Sequence, residues 1–158
     1  MSKSIYEMAL DFKAKYPNTV AWRLKKNSEI VQRHLNPDEK PLYVFAAQKN
    51  DNPLDFIETC VVTLTNQRIL IGRKRVVFGY FLDSITPDMF NDLNVKSGIF
   101  WGKIYIDTIK EFVTLSNISK SALTEIETKI TSFMMCEKKK YGIAPHTHKH
   151  DHVDKTIL

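Results

Sequence analysis

The chain has little of what most sharply announces a chemistry. Cys60 and Cys136 are its two cysteines, without metal-ligand spacing, so they supply neither a disulfide framework nor a zinc knuckle. Its five glycines, Gly72, Gly79, Gly98, Gly102 and Gly142, are dispersed, and no phosphate-cradling glycine loop can be built from them. HExxH and CxxC patterns are missing too. No apolar run approaches the roughly 18 residues of a membrane span. The first residues, Met1-Ser2-Lys3-Ser4-Ile5-Tyr6-Glu7, carry an early acid and no apolar signal core. The expectation is a cytoplasmic protein in which both cysteines are reduced, small core residues.

What the chain does have is apolar content. Of 158 residues, 43% are hydrophobic, which suits one globular domain with an accessory element and excludes a disordered chain. The net charge of +5 is unevenly placed. Residues 1–40 hold 8 Lys/Arg against 5 Asp/Glu, residues 41–136 hold 10 against 10, and residues 137–158 hold 5 against 3. The centre is neutral, so a continuous phosphate groove for nucleic acid is not expected. Arg73-Lys74-Arg75 is the one tight central cluster. It suits either a solvated turn or an anion contact.

Periodicity divides the chain. Ile5, Met8, Ala9 and Phe12 form the stripe of a short amphipathic helix, ended before Pro17. A second helix is expected from Asn18 or Thr19 to Leu35, carrying Trp22, Lys25 and Lys26. Residues 1–35 thus read as a helical hairpin, too short to bury both stripes unaided. After Asn36-Pro37 the period becomes two. Strands are expected at 42–47, 56–65, 68–72, 76–82, within 89–95, at 99–106 and at 110–115, with Arg73-Lys74-Arg75 as a connection. A long helix follows, capped by Ser116-Asn117 and running over about 117–140. Its buried face is Leu123, Ile126, Ile130 and Phe133, and Glu125 and Lys129 pair on its exposed side. Residues 36–141 form the main domain, and 142–158 a flexible histidine-rich tail. A seven-stranded antiparallel meander has two edges. Closing it into a barrel or sandwich, capped by the terminal helix, removes much of that liability. The fold class is α+β, mainly β.

Local sequence supports the same architecture. Val62-Thr63-Leu64-Thr65-Asn66-Gln67-Arg68-Ile69-Leu70-Ile71-Gly72 resembles a strand–turn–strand signature of bacterial pleckstrin homology (PH)-like domains, specifically the YokE-like group. Tyr80–Ile85, Gly98–Ile104 and Ser116-Asn117 match in order and spacing. The resemblance covers about residues 36–137. It implies a PH-like barrel that binds without catalysis. The best-known eukaryotic PH domains hold phosphoinositides through basic residues of the first strand pair and its loop. Here that loop, Lys49-Asn50-Asp51-Asn52-Pro53-Leu54-Asp55, holds one lysine and two aspartates, so no phosphate-binding residue is carried over.

Other chemistry is thin. His146, His148, His150 and His152 alternate, and neutral imidazoles on one side of an extended segment suit zinc, nickel or copper. Without a scaffold such a segment loses ordering entropy on binding, and no metal is assigned. His34 and Cys60 have no spacing that makes them a catalytic pair, and Asp83, Asp88, Asp92 and Asp107 fall at turns and strand ends. No cofactor, small-molecule substrate or enzymatic activity is expected. Interaction candidates are Trp22, Lys25, Lys26, Arg73, Lys74, Arg75 and Trp101. The expected function is contact with a protein partner or self-association. The alternative is peripheral binding to anionic membrane, which needs the basic clusters, Lys138-Lys139-Lys140 included, on one face.

Overall fold

Ser4 starts the first helix, α1 (Ile5–Lys15), through a capping box: its hydroxyl accepts from the Glu7 N–H at 3.2 Å and the Glu7 carboxylate accepts from the Ser4 N–H at 2.7 Å. These positions belong to a computed structural model, which describes residues 2–50 and 56–140. Helix α2 spans Leu24–Arg33, starting five or six residues later than the pattern predicts. The reason is local. Thr19 is buried and its hydroxyl accepts from the Ser119 N–H at 3.0 Å, and Arg23 takes a left-handed φ of 55° that no helix can pass through. Trp22 therefore lies in the α1–α2 linker, not on a helix.

Seven strands follow: β1 (Pro41–Gln48), β2 (Thr59–Thr65), β3 (Ile69–Lys74), β4 (Tyr80–Ile85), β5 (Phe90–Ser97), β6 (Trp101–Thr108) and β7 (Phe112–Ser119). The order across the antiparallel sheet is β4-β3-β2-β1-β7-β6-β5. The sheet curls into a half-barrel, with β1 and β7 joined at the Gln48–Ser116 pair. Helix α3 (Leu123–Lys140), entered through a 3₁₀ turn, packs on β5 and β6. This is the α+β, PH-like architecture expected from the sequence.

Strand β2 is buried at every residue, because the sheet is covered on both sides. Cys60, Val62 and Leu64 face the barrel core with Phe45, Ile104, Leu115, Ile126 and Ile130. Val61, with Val44 and Leu70, meets Ile5, Ala9 and Val31 of the helical hairpin outside. The period-two pattern of β2 separates these sets, as the alternation of strand side chains requires. Phe12 and Tyr16 of α1 join the inner core.

Several local expectations shift. Arg73 and Lys74 lie inside β3, and the hairpin tip is Arg75–Gly79, closed by the Arg75 N–H on the Gly79 carbonyl at 3.0 Å. Gly79 has φ 77°, a turn conformation that stops the strand expected from Val76. Residues Phe56–Glu58 form a 3₁₀ turn ahead of β2. Ser116-Asn117 does not cap a helix. Asn117, at φ 55°, sits in β7 opposite a register shift of β6 between Gly102 and Ile104, a β-bulge that Asn tolerates. On α3, Met134 is buried where Phe133 is only partly so, and Glu125 turns toward α1 instead of pairing with Lys129. Cys136 is exposed. Residues 51–55 of the first loop and the histidine tail lie outside the described residues.

Candidate functional site

An antiparallel meander places alternate connections at the same end. The β1–β2, β3–β4 and β5–β6 connections share one end of the half-barrel, and α3 starts there. A Cβ on Gly102, at the start of β6, would sit 2.2 Å from Leu123 Cδ1, which fixes the top of α3. At its other extremity the Lys138 ammonium lies 5.6 Å from the ring centre of Phe90, at the far end of β5.

The α1–α2 linker crosses the first end. The Trp101 indole N–H donates to the Asn18 carbonyl at 2.7 Å, and the Val20 N–H donates to the Asn117 carbonyl at 3.1 Å. On the other side, Arg23 donates to the Lys74 and Arg75 carbonyls at 3.5 and 3.4 Å. The chain from Asn18 to Arg23 thus ties the β5–β6 hairpin to the β3–β4 hairpin through one short segment. Asn27 locks the corner. Fully buried, it donates to the Thr59 and Trp22 carbonyls at 3.0 and 3.2 Å and accepts from the Lys74 N–H at 2.8 Å.

The seven interaction candidates thus gather at one end. Lys25 and Lys26 open α2 beside Arg73-Lys74-Arg75, and Lys26, Arg33 and Lys74 line one groove. Trp22 and Trp101 are each a little under half exposed, with the Arg23 guanidinium 5.2 Å from the Trp22 ring centre. The Lys138-Lys139-Lys140 cluster is at the opposite end, its first ammonium over Phe90, so the single basic face expected of a membrane-binding chain does not form, and Lys25-Lys26 and Arg73-Lys74-Arg75 are the clusters left to act together. Two apolar tips were not singled out from the sequence. Val77 is 74% and Phe78 81% exposed on the β3–β4 hairpin, and Ile99 is 83% exposed on β5–β6. The signal was present: an apolar triplet, Val76-Val77-Phe78, between three cations and a glycine.

Inside the rim, a cleft of about 270 Å³ opens between β1, β2, β3 and β4, lined by Lys49, Glu58, Cys60, Ile71, Arg73, Phe81 and Asp83. Lys49 pairs with Asp83, and Arg73 with Glu58 at 3.3 Å. Arg73 also stacks on Phe81, 4.4 Å from its ring centre. Burial pushes the Cys60 thiol up to about 12, which suppresses the thiolate, and its hydrogen goes to the Ala47 carbonyl at 3.4 Å. His34 is elsewhere, bonded to the Ile30 carbonyl at 2.6 Å and the Tyr80 hydroxyl at 3.0 Å. Among the described residues no three His, Cys, Asp or Glu side chains are placed to hold a metal ion.

Arg68, the arginine of the sequence signature, is not at this end. It donates to both oxygens of the buried Glu39 carboxylate at 2.9 and 3.2 Å, to the Ser84 hydroxyl at 3.2 Å and to the His34 carbonyl at 3.1 Å. It is a clasp between the end of α2, the turn that precedes β1, and β4.

No curated protein matches the chain. Among solved structures it is similar to a pleckstrin homology domain from Shewanella amazonensis, with 17% identity and a TM-score of 0.47, covering 79% of this chain and 97% of that one. It is also similar to the hSac2 domain of the human phosphoinositide phosphatase Sac2, with 14% identity and a TM-score of 0.45, covering 76% of this chain and 85% of that one. The sequence model of the bacterial PH domain matches residues 35–132, the whole half-barrel and most of α3, and on that match the chain belongs to the bacterial PH domain family.

Proposed function

We propose that this chain is a non-enzymatic, YokE-like binding module that attaches peripherally to an anionic membrane surface through the end just described. The supporting observation is the β3–β4 hairpin: exposed Val76, Val77 and Phe78 at its tip, Lys74 and Arg75 leading into it, and the start of α2, with exposed Lys25 and Lys26, tied beside it through Arg23 and the groove Lys26 shares with Lys74. Apolar tips enter the headgroup layer while flanking cations stay at the anionic surface. Each such cation contributes about 1 kcal/mol and is screened by salt. Trp22 and Trp101 suit the same interface, where an amphipathic ring has both its environments. Among the described residues no helix is long and apolar enough to cross a membrane, and the attachment proposed needs none. The test is co-sedimentation of the full chain with phosphatidylcholine vesicles, with and without phosphatidylserine. Pelleting should require the anionic lipid, weaken with salt and be lost in Phe78→Asp. A chain that stays in the supernatant at low salt would reject this reading.

A second reading, contact with a protein partner or another copy of the chain, draws on the opposite end. There Leu42, at the start of β1, and Ile109 and Phe112, on the β6–β7 hairpin, stand exposed. The stripe Ile5, Ala9 and Phe12 is already buried against the chain's own sheet and offers nothing to a partner. Light scattering distinguishes the readings: self-association through this end should disappear in Phe112→Asp and persist in Phe78→Asp.

A further inference from the structure

The cleft inside the rim, about 270 Å³, is large enough to admit a small anion but has an unusual charge arrangement. It contains two cations and two carboxylates, and each cation already has its partner: Lys49 on Asp83 and Arg73 on Glu58. The Arg73 side chain is only 13% exposed, held between Glu58, the Phe81 ring and the Ile57 carbonyl. A phosphate group needs unpaired donors that converge on it. Here any anion that approaches Lys49 and Arg73 also approaches Glu58 and Asp83, and attraction and repulsion cancel to first order. The cations outside the cleft differ. Among the described residues, none of Lys25, Lys26 and Arg75 has a carboxylate within ion-pair distance; all three are exposed, with Lys26 on the open groove it shares with Glu29, Arg33 and Lys74.

We propose that Glu58 and Asp83 are built-in counter-ions that close the barrel mouth to phosphate, so that this end responds to the anionic charge density of a membrane surface and not to the identity of a headgroup. The membrane half of this statement rests on the function proposed above; the counter-ion half stands on the cleft alone. Two arms test them. In the first, inositol hexakisphosphate is titrated calorimetrically into the full chain and into Glu58→Gln/Asp83→Asn. Releasing two cations should tighten binding about thirtyfold. If the double variant does not melt cooperatively, Asp83→Asn alone should give about fivefold. Equal affinity of variant and wild type, or tight binding by the wild type, would overturn the counter-ion role. In the second arm, the wild type is sedimented with phosphatidylserine vesicles and with phosphatidylinositol bisphosphate vesicles of the same total charge. Equal pelleting is expected, and a tenfold preference for the phosphoinositide would overturn the charge-density claim. Failure to pellet with either overturns the membrane function and the charge-density claim with it, while the first arm still decides the role of Glu58 and Asp83.

Discussion

Glu125 holds three elements together, and removing it should loosen all three. Its Oε2 accepts from the Tyr16 hydroxyl at 2.7 Å and the Tyr43 hydroxyl at 2.9 Å, and its Oε1 pairs with Lys15 at 2.8 Å. Lys15 and Tyr16 belong to the end of α1, Tyr43 to β1 and Glu125 to the first turn of α3. Lys15 is largely in water, and its pair contributes little. The two phenols are different. Tyr16 is 9% exposed, and burial together with the carboxylate pushes the Tyr43 hydroxyl far above its usual value. Glu125→Ala leaves both hydroxyls without their acceptor, at about 1–3 kcal/mol for a buried group and toward the low end for the partly buried Tyr43, so a loss of about 2–4 kcal/mol is expected. That is a large part of a stability of about 5–15 kcal/mol. Glu125→Gln keeps a carbonyl acceptor and should lose about half as much. Urea unfolding measures both, and a double-mutant cycle with Tyr43→Phe should return a coupling of about 0.5–3 kcal/mol. Burial pushes the Glu125 carboxyl up, but the hydrogen bonds from Lys15, Tyr16 and Tyr43 together outweigh it and leave the group below its usual value. A depressed carboxylate stabilises fully above its unfolded pKa, and that contribution fades as pH falls through the folded value. Glu125→Gln should remove this acid-dependent component. A Glu125→Ala variant that unfolds within about 0.5 kcal/mol of wild type, with the same acid profile, would refute the clasp.

Two further predictions concern stability. Arg68→Ala leaves the Glu39 carboxylate buried without its guanidinium and should cost about 3–5 kcal/mol by urea unfolding; Arg68→Lys should recover part of it. A chain ending at Asn117 loses Ile118 and Ser119 of β7 together with the buried Leu123, Ile126, Ile130 and Met134 of α3, at roughly 1.5–3 kcal/mol for each buried apolar side chain, and should show no cooperative melt by circular dichroism. A chain ending at Tyr141 should melt like the full-length protein.

How far the sequence was legible depended on whether the signal was local. Alternation in β2 and the three-to-four spacing of α3 declare a buried face directly, so both elements and the half-barrel they build were readable. The helical start at Leu24 was not, because it depends on Thr19 being tied to Ser119 across the fold. Asn117 looks like a cap in sequence because the side chain that caps helices is also the one that tolerates a left-handed bulge. Glu125 was placed outside for a similar reason: helical spacing tells which residues share a face but not that α1 will arrive beside it. At the candidate site, Trp22, Lys25, Lys26, Arg73, Lys74, Arg75 and Trp101 were singled out by residue type. Their convergence comes from hydrogen bonds between a linker and two hairpins, a relation that no window of sequence contains.

The α1–α2 hairpin therefore has two roles that one deletion cannot separate. It covers Val44, Val61 and Leu70 on the outer face of the sheet, and its linker and first helical turn bring Trp22, Lys25 and Lys26 to the barrel end. Removing residues 1–35 would expose that apolar face and remove the cations together, so loss of vesicle binding after such a deletion would say nothing about which change mattered. Side chains that face solvent and contribute little to packing avoid this ambiguity. Lys25, Lys26 and Phe78 are exposed, and surface changes of this kind usually alter stability by no more than about 0.5 kcal/mol. Lys25→Glu/Lys26→Glu reverses two charges beside the β3–β4 hairpin, whereas Phe78→Asp removes its apolar tip. If both variants keep the wild-type melt and both lose anionic vesicles, the end itself makes the contact and the helical hairpin serves to assemble it.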